Sequence, residues 1–316
     1  MWQKTNWITR DYYLEYNDFV DNLFNDLQKK LGEGCSISIS KVLKNNSVEL
    51  DVFVILLADK NIRPNIYILP YYQAYLAGTD LDEIVNRIIC FAKDDKVNLY
   101  NESLDYNQCK DRIIIKLVNY EKNKKLLMDL PHIKFLDMAI IFHCLANEND
   151  KSISTIRIDE KMLSDWGINI QELYIRALNN SQRLLPAKSS QLYDVIRKIF
   201  ENDLDINDKE FINIFCSKTN KMYVLTNDKG INGAACLLYK DILMEFAEKT
   251  DSDLYILPSS IHEMIILPVE EGLNTRVNKK MLEELVTTVN NEQVAPEEVL
   301  SDNVYYYSRL NKSITM

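Results

Sequence analysis

Histidine is scarce in this chain, with three residues, His132, His143 and His262, among 316. A histidine-rich metal centre would have to draw all three from separate elements, so chemistry of that kind is disfavoured. Glycine and proline are also few, at seven each, which argues against long flexible linkers and against disorder. The six cysteines, Cys35, Cys90, Cys109, Cys144, Cys216 and Cys236, form no CxxC pair and so offer no seed for a zinc or dithiol redox site. Most lie in apolar runs, where a thiol behaves as a small hydrophobe. No apolar stretch reaches the roughly 18 residues of a spanning helix, and "MWQKTNWITRDYYLEYNDF" lacks the apolar core of a signal peptide. Excess positive charge is missing as well. The 47 acidic residues outnumber 37 basic ones, for a net charge of −10, which repels phosphate backbones and anionic membranes. The Lys-rich "EKNKK" (Glu121–Lys125) reads as a solvated helix face. These absences predict a reduced, cytoplasmic protein with no cofactor, no membrane and no broad nucleic-acid binding.

What is present is a chain of short, well-marked elements, long enough for two domains with substantial cores. Tyr16, Phe19, Val20, Leu23, Phe24, Leu27 and Leu31 recur at helical spacing until Gly32 and Gly34. "CSISIS" and the alternation of Val48, Leu50, Val52, Val54 and Leu56 predict two strands around an "NN" turn at 45–46. "NIYILP" predicts a third, closed by Pro70. Asp80 and Glu83 make a capping box ahead of the stripe Leu81, Ile84, Val85, Ile88, Ile89 and Ala92. Residues 1–98 are thus expected to form an α+β unit of helix, three-strand meander and helix. The polar stretch from Lys93 to Asp111 marks the boundary.

A larger mixed α+β unit with antiparallel hairpins is expected over 110–316. "RIIIKLVNY" is a strand or a buried helix, which periodicity does not separate. "FLDMAIIFHCL" and "STIRI" predict a hairpin, followed by helices over Glu160–Trp166, Ile170–Asn179 and Gln191–Phe200. "MYVLTN" and "GAACLLY" predict strands joined by a glycine turn. "KDILMEFAEK" predicts a short helix, "VNKKMLEELVTTVN" an amphipathic one, and "NVYYYSR" a last strand.

One stretch invites a catalytic reading. "DLYILPSSIHEMIILP" places Ser259, Ser260, His262 and Glu263 between two apolar runs. A serine nucleophile needs a base and an orienting acid that converge, and these come as a rule from separate loops. On an extended segment His262 and Glu263 point to opposite faces, and the GxSxG elbow is absent. The preferred reading is a turn: Pro258 ends a strand, the serines bond nearby amides, and two buried strands pair. No catalytic residue is assigned, and Ser259, Ser260, His262 and Glu263 remain the candidates. His143 shares a face with Ala139, Ile141 and Leu145 and reads as a satisfied core histidine, while "NDKGINGAA" reads as a hairpin turn rather than a phosphate loop. The tyrosine clusters Tyr71, Tyr72 and Tyr75, and Tyr305, Tyr306 and Tyr307, are candidate binding features, since tyrosine supplies contact area at low entropic cost.

"MYVLTN…INGAACLLYKDILMEFAEKTDSDLYILPSSIHEMIILP", with "KVLKNNSVELD", "LPHIKFLDMAIIFHCL" and "APEEVLSDNVYYYSR", resembles a family of anaerobic Gram-positive bacteria known only as a domain of unknown function. The resemblance spans nearly the whole chain. "DWGINIQELYIRALNNSQRLLP" and "PSSIHE" are also distantly similar to the YtpQ-like family, whose late "PSRD" turn implies a shared turn geometry rather than a shared Ser–His pair. Neither resemblance carries an activity. The preferred expectation is a non-enzymatic protein-binding or regulatory protein. The alternatives are a hydrolase using Ser259 or Ser260 with His262, and an acidic, mobile-element-encoded inhibitor of a nucleic-acid-binding enzyme.

Overall fold

The computed structural model describes residues 13–32, 34–57, 65–93, 105–149, 152–195, 221–269 and 275–316. By its contacts the chain divides into two units, Met1–Lys44 with Val48–Ser103, and Asn45–Ser47 with Leu104–Met316.

The first unit runs α1 (Tyr16–Leu31), β1 (Ser36–Leu43), β2 (Glu49–Leu56), β3 (Asn65–Tyr67), α2 (Leu69–Leu76) and α3 (Leu81–Lys93). Its strands form an antiparallel sheet in the order β1-β2-β3. Apolar positions spaced three and four apart put Phe19, Leu23 and Leu27 of α1 and Ile84, Val85 and Ile88 of α3 into one core. Phe53, Ile55 and Ile66 of the sheet complete it. The mixed α+β class and the helix-then-three-strand order expected from the sequence are present. One detail differs. "NIYILP" ends its strand at Tyr67, and Leu69 already opens α2 with Pro70 in the first turn. A first-turn amide has no helical partner, so proline costs nothing there.

The second unit opens with α4 (Tyr106–Cys109), β4 (Ile113–Asn119), α5 (Lys124–Leu127), β5 (His132–Phe135), β6 (Met138–Asn149) and β7 (Ser152–Arg157). The long β6 pairs with β4 on one side and with both β5 and β7 on the other, all antiparallel. "RIIIKLVNY" is therefore a strand, buried at every position of Ile113–Asn119 except Lys116. "FLDMAIIFHCL" is two elements rather than one, because Leu136 adopts φ 58 and turns β5 into β6. Next come α6 (Glu160–Trp166) and α7 (Ile170–Leu184), the latter opened by an Asn169–Glu172 capping box. In α7, Ser181 Oγ accepts the Ile115 amide at 2.9 Å and Asn180 Nδ2 donates to the Ile113 carbonyl at 3.0 Å, which seats the helix on β4. Of the helix expected over Gln191–Phe200, residues 192–195 are helical and 196–200 lie outside the described residues.

A second, six-stranded sheet follows, in the order β13-β12-β10-β11-β9-β8. Its strands are β8 (Ala187–Gln191), β9 (Tyr223–Asn227), β10 (Leu254–Pro258), β11 (Met264–Pro268), β12 (Tyr305–Ser308) and β13 (Ser313–Thr315). "GAACLLY", expected as a strand, is a 3-10 segment, Gly233–Leu238, whose first five residues are all buried. A short apolar run without period-two alternation fits either form. The helices α8 (Ile242–Thr250) and α9 (Thr275–Gln293) complete the chain. Alternation along β10 then divides the packing. Leu254 and Ile256 join Ile115, Phe142, Leu225 and Phe246 in a core shared by both sheets, while Tyr255 and Leu257 meet Val286 of α9.

The two sheets are tied by one carboxylate. Asp137 accepts from Tyr305 Oη at 2.6 Å, Ser301 Oγ at 2.6 Å and Asn303 Nδ2 at 2.8 Å. Burial first, and then the Asp137 charge and its hydrogen bond, push the Tyr305 phenol well above its ordinary range. Tyr305→Phe leaves the ring and removes only the donor, so it is expected to cost about 1–3 kcal/mol, read as a lower urea midpoint with an unchanged far-ultraviolet spectrum in buffer.

Candidate functional site

Pro258 and Met264 are register partners at the end of the β10–β11 pair. The residues between them, Ser259 to Glu263, carry the chemistry that the sequence singles out. Their bonds run first within the loop. Ser260 N donates to the Glu263 carbonyl at 3.3 Å, His262 N donates to Ser260 Oγ at 3.0 Å, and Ser259 Oγ donates to Glu263 Oε1 at 3.3 Å. A serine hydroxyl that accepts the amide two residues on stabilises a tight turn. Ser260 is 9% exposed.

Other segments hold the loop from outside. The Ala234 amide bonds the Ile261 carbonyl at 3.2 Å, and the Ile261 amide bonds the Glu298 carbonyl at 2.8 Å. Thr226 Oγ1 donates to the His262 carbonyl at 2.8 Å. The 3-10 segment approaches so closely that a Cβ on Gly233 would lie 2.2 Å from Thr226 Oγ1 and 2.6 Å from the His262 oxygen. Only glycine fits there.

The imidazole is committed at both nitrogens. His262 Nδ1 accepts the Asn232 amide at 3.0 Å, and Nε2 lies 3.2 Å from Glu298 Oε1. An amide can only donate, so the ring proton sits on Nε2 and goes to the carboxylate. Glu298, unmarked in the sequence reading, thus supplies the acidic partner that Glu263 does not; Glu263 faces Ser259 instead. Neither serine hydroxyl bonds the ring. The ring side chain is 30% exposed, yet no lone pair remains on it to take a serine proton. Chemically, the arrangement is a histidine–glutamate clasp across a loop, without a base for a nucleophile.

The tyrosine candidates lie elsewhere and are tied into packing. In the first unit, half-buried Tyr72 and Tyr75 stand with ring centroids 5.1 Å from Phe19. Tyr72 Oη donates to the Leu14 carbonyl, and Tyr75 Oη accepts the Leu14 amide. Tyr71 packs against the same core. In the second unit, Tyr305 and Tyr307 are buried in the shared core, and Tyr306 Oη donates to Asp253. Among the described residues, no group of three or more His, Cys, Asp or Glu side chains could hold a metal ion.

A different surface stands out on α9. Leu282 and Val286 face the sheet, whereas Met281, Leu285 and Val289 are 63%, 51% and 38% exposed. The residues are four apart and form one ridge along the helix. The signal was available in the sequence, since adjacent apolar pairs at 281–282 and 285–286 make two stripes where a core-facing helix needs one.

The family described as a family of unknown function, DUF5688, matches residues 16–309, so the chain belongs to it. No curated protein and no solved structure matches the chain.

His262→Ala is expected to lower the thermal midpoint by the equivalent of about 1–3 kcal/mol, because it strips the Asn232 amide and Glu298 of their partner. It should leave turnover on ester and peptide panels at the wild-type level. Gly233→Ala should be costlier in the same melting assay, since backbone rather than a flexible side chain would have to move.

Proposed function

We propose that this member of DUF5688 is a non-enzymatic, cytoplasmic bacterial protein that regulates another protein by binding an amphipathic helix of it along α9. The observation that carries the reading is the exposed row Met281, Leu285 and Val289. Single exposed apolar residues are ordinary, but a row at helical spacing offers a partner helix a ridge for its groove. Charges border the row on both sides of zero: Lys280 and Glu284 pair at 4.0 Å and are 79% and 69% exposed at their side chains. Such a border sets partner register more than it adds affinity.

Two further observations support the reading. The His262 ring bonds the Asn232 amide and Glu298 rather than either serine, which supports a loop-holding role over a catalytic one. Cys109 and Cys144 are buried free thiols, with Cys144 Sγ 3.9 Å from the Cys109 carbonyl. Neighbouring thiols that stay unbridged suit a reducing compartment. No described helix is long and apolar enough to cross a membrane.

The test is co-purification at native expression. The wild-type chain should bring down one stoichiometric partner, and Met281→Glu with Leu285→Glu should lose it while melting at the wild-type temperature. A partner retained in full by the double variant, or none recovered by the wild type, would sink the proposal.

A further inference from the structure

A cavity of about 340 Å³ opens where the edge of the six-stranded sheet meets the start of α8. Small-molecule sites occupy roughly 300–1,000 Å³, so this one suits a single small molecule rather than a peptide. Its walls come from short apolar pieces of separate elements. Tyr307 of β12 and Ile314 of β13 are register partners and so point to the same face. Leu237 comes from the 3-10 segment, Ile242 from the first turn of α8 and Phe135 from the end of β5. All of them belong to the shared core or pack against it. β13 is the outermost strand of the sheet, so the cavity lies at the margin of that core.

Three polar groups line the same cavity. Tyr307 is 5% exposed, yet its hydroxyl has no hydrogen-bond partner among the described residues. A phenol in an apolar core normally finds one. The neighbouring tyrosines do: Tyr305 Oη donates to Asp137, Tyr306 Oη to Asp253 and Tyr239 Oη to the Leu185 carbonyl. The Tyr307 hydroxyl is left to the cavity that its residue lines. Burial first, and then the charges of Glu248 and Asp241, raise this phenol above its ordinary range, so it keeps its proton in negative surroundings. Asp241 itself lines the cavity, and its ion pair is a 4.0 Å surface contact with Lys240, of little worth. Lys312 lines the cavity from the turn between β12 and β13 and has no ion pair among the described residues. The mouth therefore carries one charge of each sign.

We propose that this cavity binds a free α-amino acid with a branched aliphatic side chain, such as leucine. The side chain lies against Phe135, Leu237, Ile242 and Ile314. The ammonium group donates to the Asp241 carboxylate and to Tyr307 Oη, and Lys312 pairs with the ligand carboxylate. A phenol oxygen accepts as well as donates, so the ligand supplies the partner that the protein withholds from Tyr307. Opposite charges at one mouth select a zwitterion. A simple carboxylic acid would meet Asp241 unpaired, and an alkyl amine would meet Lys312. Asp241 and Lys312 are both exposed, so the head group stays near water while the side chain is buried. This inference is independent of the helix-docking surface, which lies on α9.

Tyrosine-ring nuclear magnetic resonance on the full chain tests it, with L-leucine, 4-methylpentanoate and isopentylamine as separate probes at pH 7. The three share one branched carbon skeleton, and each of the last two lacks one of leucine's charges. Leucine should move the Tyr307 ring signals saturably in the submillimolar range, and each analogue should bind about tenfold more weakly. Lys312→Gln should weaken leucine about tenfold, and Tyr307→Phe about threefold. Lys312 stands on an exposed turn, so its variant keeps the test open if Tyr307→Phe fails to fold. Tyr307 signals that leucine does not move, an analogue that binds as tightly as leucine, or a midpoint unchanged by Lys312→Gln would overturn the proposal.

Discussion

The carboxylate of Asp137 sits at the turn from β5 to β6 and receives donors from residues 164, 166 and 168 positions later in the chain. Much in the second unit follows from that convergence. β12 must lie against β10 for Tyr305 to reach the carboxylate, and Ser301 and Asn303 must turn inward just before it. Tyr305 is fully buried, and a phenol in an apolar core needs a partner for its hydroxyl. The same interaction that satisfies it fixes where the six-stranded sheet meets the four-stranded one. Asn290 of α9 then donates to the Ser301 carbonyl and to Asp302, so the helix with the exposed ridge is referenced to the same corner.

The sequence was most legible where one physical period dominated. β2 forms where the alternating Val48, Leu50, Val52, Val54 and Leu56 place a strand, but Phe53 and Ile55, of the opposite parity, are the residues that join the first unit's core. α3 carries a single stripe and a single buried face. Legibility failed where short apolar runs carried no period. "GAACLLY" is a 3-10 segment because three small residues allow its backbone to press on the His262 loop, a tertiary demand that local pattern does not encode. Pro70 misled in the opposite way: the same missing amide that ends a strand also suits the first turn of a helix.

The corner at Ser259–Glu263 was readable as a turn, but its closure was not. Asn232, Thr226 and Glu298 come from three separate stretches, and no spacing rule in a single sequence joins them. The reading of His143 was half complete. Its burial followed from the apolar strand around it, and its bond to Thr155 closes one nitrogen. The other, Nε2, is buried without a partner among the described residues.

The reach of Tyr305 across 168 positions also bears on biosynthesis. A ribosome adding about 5–20 residues per second would leave Asp137 waiting roughly 8–34 s for its phenol. For the last 47 residues of that interval, from Pro258 to Tyr305 and about 2–9 s at the same rate, the edge of β10 that β12 will occupy stays open, and such an edge recruits other nascent chains. The first unit suffers no comparable delay, because β1 and β2 pair across a short turn. Translation of this protein is therefore a chaperone's problem concentrated in its final third, and a messenger truncated ahead of Ser301 would yield a sticky, unclosed sheet rather than a shorter working protein.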